Sequence, residues 1–370
     1  VSALPLLACS QRLHALERAL VRRADALAVF LVYDRPERER ERPGLSRTYF
    51  AQRCVSDQQL DLTLAAFRSV GAYAELFIGE QAFMRALTEG RLQRLDQQIK
   101  VAYNGIGWGI GVEGFMPGRK ALVPLVADAY GIACVNSDAH ACAVTVHKFH
   151  SALVLNGLGI RVPRTWHYRL PHGWIGSPPP PNTRVIVKST YEAWSVGVTE
   201  GSVFAADETL DSRVAEIAGS IGQAVTVQEF ISGREVYVPV WSFPERLVAP
   251  PMEALVTRAP DDPDAVMTIE DSLRGGGVRY RRFDDSAELV ERLAQTAIDV
   301  LNIFDLYGLA RIDFRVDDAE QLWVIDIAID PGIGVDSSAF LSVAELGLDH
   351  AAFVRTVVAA TLGARGLLGV

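Results

Sequence analysis

Near the end of the chain an arginine and three acids stand close together: Arg311, Asp313, Asp326 and Asp330. Apolar residues surround them (Leu309, Ile312, Phe314, Trp323, Val324, Ile325), so 309–316 and 321–328 read as consecutive strands joined by the acidic turn 317–321. A hairpin with these spacings can set Asp313 and Asp326 on one face at the same height. Two carboxylates so placed make an oxygen site for Mg²⁺, which takes one or two carboxylates and completes its octahedron with phosphate and water. Paired acids on a hairpin are usually solvated surface, and the apolar flanks argue against that here.

Two more segments have chemical content. VIVKSTYEAWSVGV (185–198) reads as a strand ending in Lys188, then a turn containing Trp194, Ser195 and Gly197. The strand delivers an ammonium to one place, and the turn could fold its backbone N–H groups over phosphate oxygens. VQEFISGRE (227–235) reads as strand, short linker, strand. Such a linker can offer backbone groups to an adenine edge, with Glu235 accepting ribose hydroxyls. Lys188 is one of only four lysines in 370 residues, with Lys100, Lys120 and Lys148; every other basic residue of the 36 is arginine.

The elements that must position these residues follow from hydrophobic periodicity. An amphipathic helix over 3–25 precedes the apolar strand 26–33, then helices near 57–70, 80–88 and 119–130 alternate with strands near 73–78, 99–103 and 132–135. This alternation predicts a parallel sheet with helices on its faces. The pattern predicts one helix over 137–157, an irregular region to 183 containing the four prolines 178–181, and strands at 184–188, 203–205, 224–230 and 235–241. A helix over 210–221 lies among these. The last third reads as a loop-rich stretch (258–277), a helix over 286–304, the acidic hairpin and a final helix over 349–362. The net charge of −9 argues against a nucleic-acid partner. No run of about 18 apolar residues predicts a membrane span, and the cysteines at 9, 54, 134 and 142 lack the spacing of a zinc knot or disulfide framework. The expectation is a reduced, cytoplasmic, enzyme-sized protein.

The order of these motifs resembles the ATP-grasp superfamily, in its D-alanine–D-alanine ligase-like branch, from about residue 99 to 346. The resemblance implies an α/β chain, α+β in its ATP-binding part, with three domains: 1–136, 137–227 and 228–370. It implies that Lys148, in VTVHKFHSALVLNGLGIRVP, and Lys188 bind ATP phosphates, with Ser195 in the turn. Gln228, Glu229 and Ile231 would line the adenine pocket, Glu235 hold the ribose, Asp313 and Asp326 bind Mg²⁺, and Arg311 stabilise an oxyanion. Gly332 and Ser337, after the Pro331 turn, would meet the acceptor substrate, though Ser337 and Ser338 also suit a helix N-cap. Arg274, Arg279 and Tyr280 fall in a glycine-rich loop (RGGGVRY) that either clamps the γ-phosphate or is plain surface. Members of the branch are often dimers, so a homodimer is possible.

Several positions depart from the family pattern. Asp326 stands for glutamate, and Ala328 for an asparagine that ligates a second metal; Asp330, two residues on, is the candidate substitute. Trp194 replaces a serine, and together with Trp108 it could line the substrate pocket or plug it. The segments 33–45 and 104–114 replace the family's substrate-side loops. His147 and His150, three residues apart with no third ligand nearby, suit helix surface or packing better than a metal. The nucleotide side is thus kept and the substrate side rebuilt. The expectation is an ATP-dependent carboxylate–amine ligase for amino acids or amino-acid-like substrates, forming a product of specialised metabolism. The alternatives are a D-alanine–D-alanine ligase proper and an ATP-binding pseudoenzyme or regulatory subunit. A phosphotransferase that stops at the acyl or hydroxyl phosphate is a further possibility.

Overall fold

A computed structural model describes residues 6–33, 56–104, 118–135, 137–273 and 275–369. Trp108, Arg274 and the segments 34–45 and 105–114 lie outside these residues. Three sheets organise the chain. The first joins β1 (Leu27–Tyr33), β2 (Tyr73–Ile78), β3 (Ile99–Asn104) and β4 (Ala133–Cys134) in the order β2-β1-β3-β4, all parallel. β1 is buried along its whole length because helices cover both faces, and that is why it reads as an unbroken apolar run.

The second sheet contains β5 (Thr165–Arg169), β6 (Gly173–Ile175), β7 (Arg184–Ser189), β8 (Val203–Ala205) and β9 (Val225–Glu229), antiparallel in the order β6-β5-β9-β7-β8. β5 and β6 fall in the region expected to be irregular. The TWHYR run is β-prone, and β5 is ordered by pairing with β9, some 60 residues away in sequence, a partner no local window contains. The helix Leu210–Ile221 packs Val214 and Ala218 against this sheet.

The third sheet has β10 (Arg234–Ser242), β11 (Arg246–Val248), β12 (Met252–Val256), β13 (Val278–Arg282), β14 (Gly308–Val316) and β15 (Leu322–Ala328). Its order is β13-β12-β10-β14-β15, with β11 on β10. Its back face rests on the helix Ala287–Ile303 through Leu293, Ala297 and Leu301. At Gly233, ahead of β10, φ is 141° and an added Cβ would lie 2.2 Å from the Val316 carbonyl oxygen, so only glycine lets the linker cross there.

The first unit is not closed at residue 136. Its core continues into the helix His350–Ala364, whose Phe353, Val354 and Val357 pack with Leu16, Leu20 and Phe67. The helix expected over 137–157 is two helices, Ala139–Thr145 and Lys148–Gly157. The break follows the β-branched run Val144-Thr145-Val146, and His147 caps the second helix by accepting the His150 N–H at its Nδ1. The break makes Lys148 the first residue of a helix. Among the described residues no helix is long and apolar enough to cross a membrane.

Candidate active site

The second and third sheets face each other across a cavity of about 1070 Å³. All the expected site residues among those described line it: Lys148, Lys188, Trp194, Ser195, Gln228, Glu229, Ile231, Glu235, Arg279, Tyr280, Arg311, Asp313, Asp326, Asp330, Gly332 and Ser337.

The acidic hairpin forms its floor. Asp317 accepts from the Ala319 and Gln321 N–H groups and from the Trp323 indole, which closes the turn. Asp313 pairs directly with Asp326 across β14 and β15. This depends on a bulge. Ile312 pairs with Ile327 but Phe314 pairs with Val324, so Ile325 is the extra residue. Plain alternation would turn Val324 and Asp326 to the same side. The bulge sends Val324 into the core and leaves Asp326 on the cavity.

Arg311 grips Asp313 through Nε and Nη2, each at 2.7 Å, donates through Nη1 to Ser338 Oγ at 3.2 Å, and lies 4.1 Å from the Tyr237 ring centre. Asp313 is only 4% exposed. Burial raises its carboxyl to about 7 even against the Arg311 guanidinium, and the Asp326 and Glu235 charges add to the rise. Burial also acts against the charge of Asp326, but Lys148 and Lys188 outweigh it and hold that carboxyl below its ordinary range. Lys148 Nζ is 3.8 Å from Asp326 Oδ1 and donates to the Glu192 carbonyl. Burial lowers the Lys188 ammonium to about 8, opposed by Asp326 and Glu235. Two hard oxygen donors facing one another, one of them an acid whose charge burial disfavours, form a donor set that fits a small divalent cation.

The linker after β9 uses its side chains differently. Glu229 is held outward by Arg164, at 2.8 and 3.0 Å, so it meets the cavity through its backbone. Gln228 is buried, and its Oε1 has no hydrogen-bond partner among the described residues. Glu235 is bound by Arg315 at 3.1 Å and by the Tyr237 hydroxyl at 2.7 Å. In the turn after β7, Trp194 (φ 58°) and Ser195 (φ 55°) are left-handed in succession, a strain of about 1 kcal/mol or more each that concentrates at ligand clamps. Trp194 is 50% exposed, and its Cζ2 lies 3.8 Å from where a Cβ on Gly332 would stand.

One expectation changes, that Arg279 and Tyr280 lie in a loop, and Asp330 and Ser337 each gain a partner. Asp330, expected as a metal ligand, has Oδ1 engaged by Lys120 Nζ at 2.9 Å. Arg279 and Tyr280, expected in a loop, lie on β13 at the sheet edge; the pairing with β12 that orders them is non-local. Ser337 is the N-cap of the helix Ser338–Ala344, accepting the Phe340 N–H at 3.2 Å. Sequence reasoning did not reach Lys120, Tyr237 or Arg315. Scarcity of lysine was the one available signal for Lys120.

Behind Lys148, His147 stacks on His150 (centroids 3.5 Å apart) and touches His167 and Tyr191. Burial, then the charges of His150 and other neighbours, lowers His147 to about 3 and His167 to about 4 from the usual 6.5. Between these values and 6.5 the unfolded chain binds more protons, so stability is lost as pH falls through that window. The thermal midpoint is expected to drop by several degrees from pH 7 to pH 4.5, and less in His147→Asn, which keeps a capping side chain. Equal drops in both proteins would exclude His147 as a source.

An ATP-grasp fold with these residues gathered at its cleft defines the class, that of ATP-dependent ligases that form an amide bond. Within that class the chain is similar to D-alanine–D-alanine ligases: residues 182–359 match the family described as D-ala D-ala ligase C-terminus. It is 27% identical over 325 residues to D-alanine–D-alanine ligase B of Xanthomonas campestris pv. campestris, covering 84% of this chain and 92% of that one. It is 24% identical over 239 residues to the D-alanine–D-alanine ligase of a Synechococcus strain, covering 62% and 68%. The D-alanine–D-alanine ligase of Bacillus anthracis complexed with ATP superposes with a TM-score of 0.62 at 14% identity, covering 92% of this chain and 98% of that one. The VanG D-Ala:D-Ser ligase of Enterococcus faecalis superposes with 0.58, covering 92% and 99%.

Proposed function

We propose that the protein is an ATP-dependent ligase that joins two amino acids, with D-alanine in both positions as the leading pair. The relatives favour this alternative over the expectation of a product of specialised metabolism. The observation that carries the ligase reading is the meeting of Lys148, Lys188, Arg311, Asp313 and Asp326 at one cavity between two sheets.

The γ-phosphoryl group of ATP would pass to a carboxylate oxygen of the first amino acid, giving an acylphosphate and ADP. The amine of the second attacks the carbonyl carbon, the C–O bond to phosphate breaks with its electron pair, and the nitrogen sheds a proton. Lys148 and Lys188 hold the phosphates, and the Ser195 turn covers them with backbone N–H groups. The backbone of Glu229 and Ile231 and the Gln228 amide take the adenine edge, and Glu235 takes the ribose. Asp313 and Asp326 would hold Mg²⁺, which supplies charge neutralisation on the transferred group. Arg311 stabilises the tetrahedral oxyanion, a role typically worth about 10²–10³ in rate. Gly332 and the helix capped by Ser337 border the acceptor side, beneath Trp194.

Phosphate release with ATP, Mg²⁺ and a panel of D- and L-amino acids, followed by mass spectrometry, tests this. The expected result is release stimulated by D-alanine and a product of the mass of D-alanyl-D-alanine. Another dipeptide as best product would overturn the substrate, ATP binding without turnover would favour a pseudoenzyme, and hydroxylamine-trapped acyl groups without an amide would favour a phosphotransferase.

A further inference from the structure

The roles above leave one charged pair on the cavity wall unused. Lys120 Nζ donates to Asp330 Oδ1 at 2.9 Å, with the side chains 8% and 15% exposed. Lys120 belongs to the turn Arg119–Ala121 of the first unit; Asp330 follows β15, 210 residues later. Both line the cavity. A buried ion pair adds little net stability, because stripping water from both charges cancels most of their attraction. An apolar pair would join the two units as well, so the reason for charge is sought in what the pair presents to a ligand.

Its surroundings define one end of the cavity. Tyr33 of β1 and Tyr103 of β3 are near enough that, beyond the effect of burial, the Asp330 charge raises both phenols. The Lys120 charge reaches Asp326. Gly332, two residues beyond Asp330, lies under the Trp194 indole. The pair therefore sits beside the Asp313–Asp326 floor, on the side of the first unit. The linker 228–231 belongs to the opposite, second-sheet side.

We propose that Asp330, held by Lys120, is the subsite for the α-ammonium group of the amino acid whose carboxylate is activated. This rests on the ligase reading. An α-amino acid brings its ammonium next to the carboxylate that must meet the γ-phosphate, and Lys120, Lys148, Lys188 and Arg311 all line that region. An ammonium there is repelled unless a carboxylate faces it. Asp313 is gripped by Arg311, Glu235 by Arg315 and Glu229 by Arg164; Asp326 has Lys148 Nζ 3.8 Å away, and the Lys188 charge also acts on it. Among the described residues Asp330 meets Lys120 through Oδ1, and a carboxylate has about four acceptor sites, so it can take a second donor. Lys120 then acts as a positioning residue: it keeps Asp330 in place, and its charge favours the substrate's carboxylate. A hydroxy acid, lacking the ammonium, gains nothing from Asp330, so the pair selects amino acids against hydroxy acids.

The test is binding of D-alanine and of D-lactate to the full chain, by calorimetry, with Mg²⁺ and a non-hydrolysable ATP analogue present. Wild type is expected to prefer D-alanine by about 30-fold, the scale of one hydrogen bond to a charged group. Asp330→Asn is expected to remove that preference while leaving affinity for D-lactate and the nucleotide analogue within about threefold. The exchange Lys120→Asp with Asp330→Lys keeps an ion pair and is expected to bind the analogue but lose D-alanine. Absence of a preference in wild type, a preference retained in Asp330→Asn, or D-alanine binding restored by the exchange would each overturn the proposal. Failure of the ligase reading shows separately, as no phosphate release by wild type with saturating amino acids.

Discussion

Asp313→Asn is expected to abolish ligation, lowering turnover by about 10³-fold or more. Charge stabilisation by a metal on a transferred phosphoryl group is worth several kcal/mol, and each 1.4 kcal/mol is about tenfold. The substitution keeps the shape and one acceptor oxygen. It removes one of the two opposed anionic donors and leaves the Arg311 guanidinium half-paired in a buried place. Removing a partner from a buried ion pair destabilises, so the thermal midpoint should fall by a few degrees while the circular dichroism spectrum is unchanged. Phosphate release at saturating ATP and amino acid checks the main effect. Turnover within tenfold of wild type would remove Asp313 from the reaction.

Lys188→Met is expected to lower kcat/KM for ATP by about 10²-fold, from about 3 kcal/mol for a hydrogen bond to a charged group. Met preserves the bulk of the aliphatic stem at the end of β7. The pH dependence separates this from a packing effect. Burial lowers the Lys188 ammonium to about 8, so affinity for ATP should weaken in wild type as pH rises through 8 and stay nearly flat in Lys188→Met. Stability moves the other way. Between about 8 and the ordinary lysine value of 10.5 the unfolded chain binds the extra proton, so the folded wild type gains stability as pH rises through that window, and the Met variant does not. Titration calorimetry of ATP at pH 7 and pH 9 reads the first effect; the same pH trend in both proteins would exclude Lys188 as a phosphate contact.

The parts of the fold that could be read along the chain are those set by local pattern. The strand 73–78 and the helix 80–88 coincide with Tyr73–Ile78 and Glu80–Thr88, because the residues that bury them recur with one period in one short window. β5, β12 and β13 were not legible, since their order comes from pairing with strands far away in sequence. The break at Val146–His147 was missed because 137–157 keeps helical periodicity through it; a cap formed by a histidine ring carries little sequence signal.

The sequence by itself determined the chemical inventory: two scarce lysines before and after the proline-rich stretch, a linker between two strands, and paired acids on an apolar hairpin. Side-chain type and order along the chain are enough for that. Only the tertiary structure decided how these act on one another. The bulge at Ile325 sets the side of β15 on which Asp326 stands, because one extra residue reverses a period-2 alternation. It took packing of the first unit against the third sheet to give Asp330 a lysine partner from 210 residues away. Charges that meet across such a separation leave no periodic trace in either segment.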